Sequence, residues 1–337
     1  MKIAVIGVGR MGCRHIQAVK KLGFQLVGIV DSSLDAQKAA CLEQDLPESI
    51  SYTTMQELFD VVLPDCVIIS TTADSHCKLT CFSAKQGVKY ILVEKPLATS
   101  LAESELMIRT CESNQSLLSV NHQMRFMDQY LIPKSLLNST DYGGIKSMTV
   151  VAGNFGMAMN ATHYFEAFRF LTDEEPSDVT AWFSDDLVEN PRGEQFHDRA
   201  GEIRVTTKSQ KRLYIEIGSD QGHGVQVTYA ARNGLISVNE LTGSMITTVR
   251  EKDYLGLPTT RYGMPAINSS QIIPAAEVID SSASVLKALI NNENVVTANH
   301  GLLTIKILVA AYTSAENKNR KIGLEESLDY DRIFPWA

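Results

Sequence analysis

The sequence lacks any long uninterrupted apolar run and any excess of positive charge. No window offers the roughly 20 consecutive apolar residues that a membrane-spanning helix needs, so we expect no membrane span. The 31 Lys and Arg residues are outnumbered by 39 Asp and Glu residues, which gives a net charge of −8. A chain with this balance has no general attraction for nucleic acid or for an anionic membrane surface, so we expect neither as a partner.

Cysteine is sparse and unevenly placed. The six cysteines form no CxxC pair, and all of them lie in the first third of the chain, at positions 13, 41, 66, 77, 81 and 111. A secreted disulfide framework would be denser and spread along the chain, so reduced thiols in a cytoplasmic protein are the better interpretation. The N-terminus has only a short apolar run that ends in glycine, which predicts no signal peptide.

The first 120 residues alternate between strand and helix patterns. At roughly 150 residues per domain, the 337 residues suggest about two domains. Apolar runs predict strands at residues 2–6, 26–30, 66–70, 90–93 and 116–120. Strands that are apolar on both faces and separated by helices predict a parallel sheet covered on both sides, in a doubly wound α/β domain.

After about residue 124 the pattern changes to strands with alternating polarity. These predicted strands are residues 145–152, 178–183, 203–207, 213–218, 224–230, 234–239 and 245–250, with one helix at 160–171. Their hairpin-like spacing predicts a mostly antiparallel sheet. Residues 251–274 are punctuated by Pro and Gly, which predicts an irregular stretch, and two helices follow at 275–291 and 300–316.

A glycine-rich segment, Gly-Val-Gly-Arg-Met-Gly, follows the first predicted strand and opens the first predicted helix. In this GxGxxG pattern Gly7 permits a tight turn, Gly9 lets the backbone approach a pyrophosphate, and Gly12 allows close packing of helix on strand. Main-chain N–H groups at the helix start, at Arg10 and Met11, then hold the phosphates. The segment therefore predicts a dinucleotide-binding site.

Asp31 ends the next predicted strand, where such a site usually has an acidic residue. Its carboxylate can accept hydrogen bonds from both ribose hydroxyls of an adenosine, whereas it would repel a 2′-phosphate. The residues that follow, Ser32 and Ser33, bring no arginine to compensate. We therefore predict NAD as the cofactor in preference to NADP.

Three further segments make the pattern more specific. They are ISTTADSH at residues 69–76, EKPLA at 94–98 and NHQMRF at 121–126. Together with the glycine motif they resemble the glucose–fructose oxidoreductase/inositol dehydrogenase (Gfo/Idh/MocA) family, over almost the whole chain. The resemblance implies an N-terminal Rossmann domain at 1–123 and a C-terminal α/β domain at 124–337, with a large, mostly antiparallel open sheet. Family members commonly form dimers or tetramers through this sheet, so a homodimer or homotetramer is expected.

The resemblance implies that Lys95, of the Glu-Lys-Pro tripeptide, sits beside the nicotinamide and the substrate. Oxidation of a secondary alcohol needs a hydride acceptor and a group that takes or shares the hydroxyl proton. A partly desolvated lysine can hydrogen-bond the oxygen as charge develops. Lys95 is therefore predicted to be catalytic and to contact both cofactor and substrate; the alternative is a surface lysine at a strand end.

The family's second catalytic motif, an Asp and a His four residues apart at a helix start, is only partly present. His163 matches the histidine and is the predicted acid/base, because the unperturbed pKa of histidine, about 6.5, suits proton exchange at neutral pH. Met159 replaces the aspartate, which puts an Asp–His proton relay in doubt. Asn160 is a candidate substrate contact or a helix N-cap. Glu166 lies one turn beyond His163 and could orient it.

The remaining predicted contacts follow strand ends, where ligands bind in such sheets. Cofactor contacts are predicted for Thr71, Thr72, His76 and Glu94, with His76 alternatively a residue of the first turn of a helix begun by Asp74. Substrate contacts are predicted for His122 and Arg125, and Arg125 is equally a candidate for an interdomain ion pair. His197, His223 and His300 lack ligand spacing, so we interpret them as surface residues and predict no metal site.

These observations predict an NAD(H)-dependent oxidoreductase that transfers hydride to or from a secondary alcohol of a sugar, a sugar derivative (nucleotide-linked ones included) or a cyclitol. One alternative is NAD-dependent glycoside cleavage or epimerisation with an internally recycled cofactor. Another, from a different class, is a dinucleotide-binding regulator without turnover, an idea to which Met159 lends some support. Fold alone does not separate these functions, because function resides in the site.

Overall fold

The computed structural model describes residues 1–153, 156–188, 196 and 198–334, and the chain forms two compact units. The first unit comprises Met1–Gln123, Glu277–Ile305 and residues 330–334. The second unit comprises Met124–Ala276 and Lys306–Asp329.

The strands and helices follow one another in regular order. The strands are β1 (Lys2–Ile6), β2 (Gln25–Val30), β3 (Ser51–Tyr52), β4 (Cys66–Ile69), β5 (Tyr90–Val93), β6 (Leu117–Val120), β7 (Ile145–Gly153), β8 (Pro176–Val188), β9 (Asp198–Thr207), β10 (Arg212–Gly218), β11 (Gln226–Ala231), β12 (Gly234–Asn239), β13 (Ser244–Arg250), β14 (Ala266–Ile272) and β15 (Ile322–Gly323). The α-helices are α1 (Arg10–Lys21), α2 (Leu34–Glu43), α3 (Met55–Val61), α4 (Ala73–Lys85), α5 (Leu101–Ser113), α6 (Asp128–Leu137), α7 (Met157–Thr172), α8 (Val278–Asn291) and α9 (Ala298–Glu316).

The first unit is built on a six-stranded parallel sheet in the order β3-β2-β1-β4-β5-β6. Every residue of β4 and β5 is buried, as expected for strands covered by helices on both faces. The strand order reverses between β1 and β4, and in such sheets a crevice for ligands opens outside the carboxyl ends at that point. The predicted doubly wound Rossmann domain is confirmed.

The second unit is built on a nine-stranded sheet in the order β14-β13-β12-β11-β7-β10-β9-β8-β15. Its described strands pair antiparallel except for the parallel pair β7–β10. Helix α7 packs against β7, β9 and β10 and covers one face. The opposite face, called the outer face below, carries the exposed side chains Trp182, Tyr214, Leu235 and Ile246. The predicted mostly antiparallel open sheet is therefore confirmed.

Two predictions about the second half of the chain need correction. The stretch 251–274, predicted to be irregular, contains a 3-10 helix at Lys252–Tyr254 and the edge strand β14. Strand β14 is polar and exposed, and its pairing with β13, which local sequence does not encode, makes it a strand. The predicted division after residue 123 coincides with the first break between units, but Glu277–Ile305 clusters with the first unit because α8 packs against α1.

Candidate functional site

The glycine-rich loop joins β1 to α1, and its three motif glycines have different surroundings. Gly7 has a φ of +85°, and a Cβ there would lie 2.8 Å from the main-chain nitrogen of Thr71. A Cβ on Gly12 would lie 2.0 Å from the carbonyl oxygen of Gly7. A Cβ on Gly9 would meet no atom within 4 Å, so the backbone is open on that side, at the N-terminus of α1. This opening is what a pyrophosphate needs in order to reach the N–H groups of the first turn.

Asp31 is fixed beside this loop, directly after β2. Its two carboxylate oxygens accept hydrogen bonds from the main-chain N–H groups of Val8 and Ser33, each at 2.9 Å. A pocket of about 370 Å³ adjoins the loop, lined by Val8, Gly9 and Arg10 and by residues of α1 and α2. Arg10 is exposed and Met11 is half-buried. The open glycine, the helix N-terminus and the half-buried carboxylate together fit a dinucleotide.

His76 is buried behind the neighbouring loop that follows β4. It lies in the first turn of α4, which begins at Ala73 with Thr72 at its N-cap position. Its Nδ1 lies 2.9 Å from the carbonyl oxygen of Pro96, and its Nε2 lies 3.2 Å from that of Thr71. Burial lowers the pKa of His76, although the carbonyls and the Glu94 charge oppose this effect. His76 therefore lies inside the unit between the carbonyl oxygens of Thr71 and Pro96, and its neutral ring, which has a single N–H, donates to one of them at a time.

Glu94 and Lys95 follow β5 at the same edge of the sheet. The Glu94 side chain is buried, and its Oε1 lies 2.7 Å from the Nε2 of His15 and accepts a hydrogen bond of 2.7 Å from the Nδ2 of Asn121. Its Oε2 accepts the main-chain N–H of Lys95 at 3.2 Å. Burial raises the pKa of Glu94, but the hydrogen bonds from His15 and Asn121 and the nearby charges outweigh it and lower the pKa on balance. Lys95 is half-buried.

His122 follows Asn121 after β6 and is also buried, with 1% of its surface exposed. The structure therefore places this predicted substrate contact inside the first unit. Asn121 was not predicted as a site residue, and neither was His15. The signal for His15 was present in the sequence, because it follows Gly12 by one helical turn and so faces the same way.

In the second unit, α7 carries the predicted residues Asn160 and His163. The helix begins at Met157 with Gly156 at the N-cap position, so the interpretation of Asn160 as an N-cap is wrong. Asp198, from β9, fills the capping role instead: its carboxylate accepts the N–H of Ala158 at 2.7 Å and that of Met159 at 2.9 Å. Burial raises the pKa of Asp198 despite these hydrogen bonds. Asn160 and His163 are both half-buried.

Glu166, one turn beyond His163, is held by arginines. Arg169 donates two hydrogen bonds to its carboxylate, at 2.7 and 2.9 Å, and the Nη1 of Arg125 lies 3.7 Å from it. The guanidinium of Arg125 also lies 5.1 Å from the ring centre of Phe170. All of these residues belong to the second unit, so the interdomain ion pair predicted as one role of Arg125 is corrected to an ion pair within a unit.

A buried carboxylate also fixes the helix beside His163. Tyr164 donates a hydrogen bond of 2.9 Å to Glu240, and Tyr130 donates a second one to the same carboxylate. Burial raises the pKa of Glu240, although the two tyrosine hydroxyls act in the opposite direction. Sequence reasoning missed this cluster because its members are far apart in the chain.

The remaining histidines are dispersed. His197 lies outside the described residues, His223 is exposed, and His300 is half-buried in the first turn of α9, where its Nδ1 accepts the N–H of Thr297 at 3.2 Å. Within the described ranges, no group of His, Cys, Asp and Glu side chains is arranged to hold a metal ion. No helix in the described part of the chain combines the length and apolar character needed to cross a membrane.

Comparison with known proteins identifies oxidoreductases that are similar to this chain in sequence and in fold. Residues 1–122 match the Gfo/Idh/MocA family model, described as an oxidoreductase family with an NAD-binding Rossmann fold. The inositol 2-dehydrogenase of Pseudarthrobacter chlorophenolicus is 27% identical over 254 residues, which cover 71% of this chain and 73% of that protein. The inositol 2-dehydrogenase of Rhizobium meliloti is 24% identical over 344 residues, which cover 95% and 98%.

Among solved structures, an oxidoreductase from Agrobacterium radiobacter in complex with NAD+, L-tartaric acid and magnesium has the same fold. It superposes with a TM-score of 0.76 at 20% identity, covering 96% of this chain and 98% of that one. Residues 1–122 therefore match the Gfo/Idh/MocA oxidoreductase family, and over most of its length the chain is similar to inositol 2-dehydrogenases.

Proposed function

We propose that this oxidoreductase transfers a hydride between NAD(H) and a carbon bearing a secondary hydroxyl in a sugar, a sugar derivative or a cyclitol. The observation that carries the proposal is the position of Glu94 and Lys95 directly after β5. This position is at the carboxyl edge of the sheet that also carries the glycine-rich loop, where α/β sheets bind their ligands. The inositol 2-dehydrogenases among the relatives support a polyol substrate class.

In this proposal the first unit holds the cofactor and the second unit holds the substrate. The N–H groups at the start of α1 bind the pyrophosphate, and Asp31 accepts the ribose hydroxyls. The bound nicotinamide supplies the hydride acceptor or donor. The Lys95 ammonium hydrogen-bonds the reacting oxygen and stabilises the charge that develops there, while His163 exchanges the hydroxyl proton. Asn160 and Arg125 contribute polar contacts to the substrate.

NAD is the proposed cofactor in preference to NADP, because the Asp31 carboxylate is held in place by two main-chain N–H groups. It cannot turn away from a 2′-phosphate without losing both hydrogen bonds. The measurement is kcat/KM with each cofactor on the same substrate. A higher kcat/KM with NADP would contradict the proposal.

Substitution of Lys95 is the central test. We expect Lys95→Ala to lower kcat by about 10²–10⁴-fold, because the group that hydrogen-bonds the reacting oxygen and stabilises its developing charge is removed. The affinity for NADH should be nearly unchanged, since the phosphate and ribose contacts remain. Lys89→Ala is the matched control, because Lys89 is exposed and lies before β5, at the opposite end of the strand.

Both steady-state turnover over a panel of polyols and NADH binding are measured for these variants. Near wild-type turnover of Lys95→Ala on the true substrate would refute the proposed mechanism. Cleavage of a glycoside without net NADH production would instead assign the reaction with an internally recycled cofactor.

We further propose a homodimer or homotetramer that assembles through the outer face of the nine-stranded sheet and acts in the cytoplasm. The exposed aromatic and aliphatic side chains of that face support the assembly. All six cysteines lie in the described ranges and are unpaired, and five of them are buried, which supports a reducing compartment.

A further inference from the structure

His15 lies inside the first unit, on the helix that follows the glycine-rich loop, and contacts Glu94, the residue before Lys95. It is on α1, one turn after Gly12, and none of its surface is exposed. Its Nε2 is 2.7 Å from the Oε1 of Glu94, whereas its Nδ1 has no hydrogen-bond partner among the described residues. The contact with Glu94 is therefore the only hydrogen bond that the described residues give to this fully buried side chain.

The direction of this hydrogen bond follows from the chemistry of its two ends. An ionised carboxylate can only accept, so Nε2 must carry the proton and donate it to Oε1. The Nδ2 of Asn121 donates to the same oxygen, and Oε2 accepts the N–H of Lys95. Asn121 also lies within hydrogen-bond distance of Ser282, at 3.3 Å. The Glu94 carboxylate is therefore fixed at one oxygen by α1 and the end of β6, and at the other oxygen by the Lys95 peptide.

We propose that His15 is a positioning residue for Lys95, acting through the Glu94 carboxylate. Its donor sets the orientation of that carboxylate, which in turn holds the backbone from which the Lys95 side chain extends. His15 also sits on the helix whose first turn is the proposed phosphate site, so it links that helix to the reacting end of the cofactor. The inference rests on the proposed function of Lys95.

Other charged groups also lie near Glu94, and their effects on it must be distinguished from the effect of His15. Lys95 is adjacent in the chain, and His76 of α4 is close enough for the Glu94 charge to affect its pKa. Both His76 nitrogens face main-chain carbonyls, so His76 cannot replace the donor that His15 provides. The only side-chain donors to Glu94 that the described residues provide are thus His15 and Asn121.

The test compares two substitutions of His15. His15→Leu removes the donor at similar volume, whereas the amide of His15→Gln can donate from about the position of Nε2. We expect His15→Leu to raise the pKa of Glu94, move the acid limb of the kcat profile to higher pH and lower kcat by roughly 10-fold to 100-fold. His15→Gln should restore most of kcat and the original acid limb.

Infrared titration of the carboxyl groups in the protein without cofactor provides a readout that does not depend on turnover. The band lost in Glu94→Gln identifies Glu94, and its titration should move to higher pH in His15→Leu. Val19→Ala is the matched control, because Val19 is fully buried on the same helix and its truncation lowers stability without touching Glu94. An unmoved Glu94 band, or identical pH profiles in His15→Leu and Val19→Ala, overturns the proposal.

The double variant Lys95→Ala/His15→Leu separates this inference from the proposed function. If His15 acts through Lys95, His15→Leu lowers the residual turnover of Lys95→Ala no further; an undiminished effect overturns the inference. If Lys95→Ala alone retains full turnover, the proposed function fails, and the infrared titration still decides whether His15 controls Glu94. If His15→Leu does not fold, His15→Met is used in the same measurements.

Discussion

Gly9 and Gly12 belong to one motif but face different constraints. A Cβ on Gly12 would overlap the Gly7 carbonyl oxygen at 2.0 Å, whereas a Cβ on Gly9 would meet nothing within 4 Å. We therefore expect Gly12→Ala to destabilise the protein by about 1–3 kcal/mol or more, because main chain must move. Gly9→Ala should change the free energy of unfolding by less than about 1 kcal/mol. It should nevertheless weaken NADH binding, because the added methyl occupies the open approach to the helix N-terminus.

Denaturant unfolding and NADH titration measure these two effects separately. Gly256→Ala is the control, because a Cβ there also meets no atom within 4 Å and Gly256 lies outside the first unit. It should change neither property. A Gly9→Ala variant that binds NADH as tightly as wild type would contradict the proposed phosphate site.

At the residue scale, a contact could be predicted from the sequence only where the contacting residues are close together in the chain. The motif glycines and Asp31 followed from local spacing, and the structure gives each of them surroundings suited to a dinucleotide. The donor to Glu94 could not be predicted in the same way, because His15 is 79 residues away from it. The Asp198 cap of α7 was missed for the same reason, since no local pattern connects β9 to the start of that helix.

At the element scale, local signals located most strands and helices. A Ser or Thr three residues before a Glu is a local signal for a helix start, and two helices begin in this way. Thr54 accepts the N–H of Glu57 at the start of α3, and Ser100 accepts that of Glu103 at the start of α5, each at 3.2 Å. Helix α6 was missed because Pro133 lies inside it and breaks the usual helical signal. The edge strand β14 was missed because it is polar and exposed, so that only its partner β13 defines it.

One prediction concerns the junction between the end of α7 and the β9–β10 turn. Glu174 accepts a hydrogen bond from Ser209 at 2.6 Å and pairs with Lys211 at 2.9 Å. Partial burial raises the pKa of Glu174, but these contacts outweigh it and lower the pKa from 4.5 to about 2. Because the folded-state pKa is depressed, the stabilisation is present above pH 4.5 and is lost as the pH falls through about 2.

Glu174→Gln should therefore be less stable than wild type at neutral pH, and the two proteins should converge as the pH falls from 4.5 towards 2. The free energy of unfolding, measured across this range, checks the expectation. Glu175→Gln removes a neighbouring exposed carboxylate and serves as the control for the change in net charge. A stability difference between wild type and Glu174→Gln that stays constant down to pH 2 would count against the assigned contacts.

At the scale of the whole molecule, the sequence pattern predicted only part of how the chain is divided between the two units. The change from parallel to antiparallel patterning placed the first division after residue 123, where the first unit's opening segment ends. The sequence could not predict that Glu277–Ile305 belongs to the first unit. An amphipathic pattern identifies the apolar face of a helix but not the part of the protein that packs against it. That partner is α1, and an ion pair between Lys21 and Asp280 joins the same two helices.

The outer face of the nine-stranded sheet carries the last prediction, on assembly. Pairing along the sheet puts Tyr214 and Ile246 in one row on this face, and they are 37% and 54% exposed. If two copies pack face to face, a carboxylate at both positions buries like charges across the interface, so Tyr214→Asp/Ile246→Asp should dissociate the oligomer. Sedimentation should give a dimer or tetramer for wild type and a monomer for the double variant. Leu42→Asp, at an 87% exposed site on α2, should leave the assembly intact, and a monomeric wild type would refute the proposed interface.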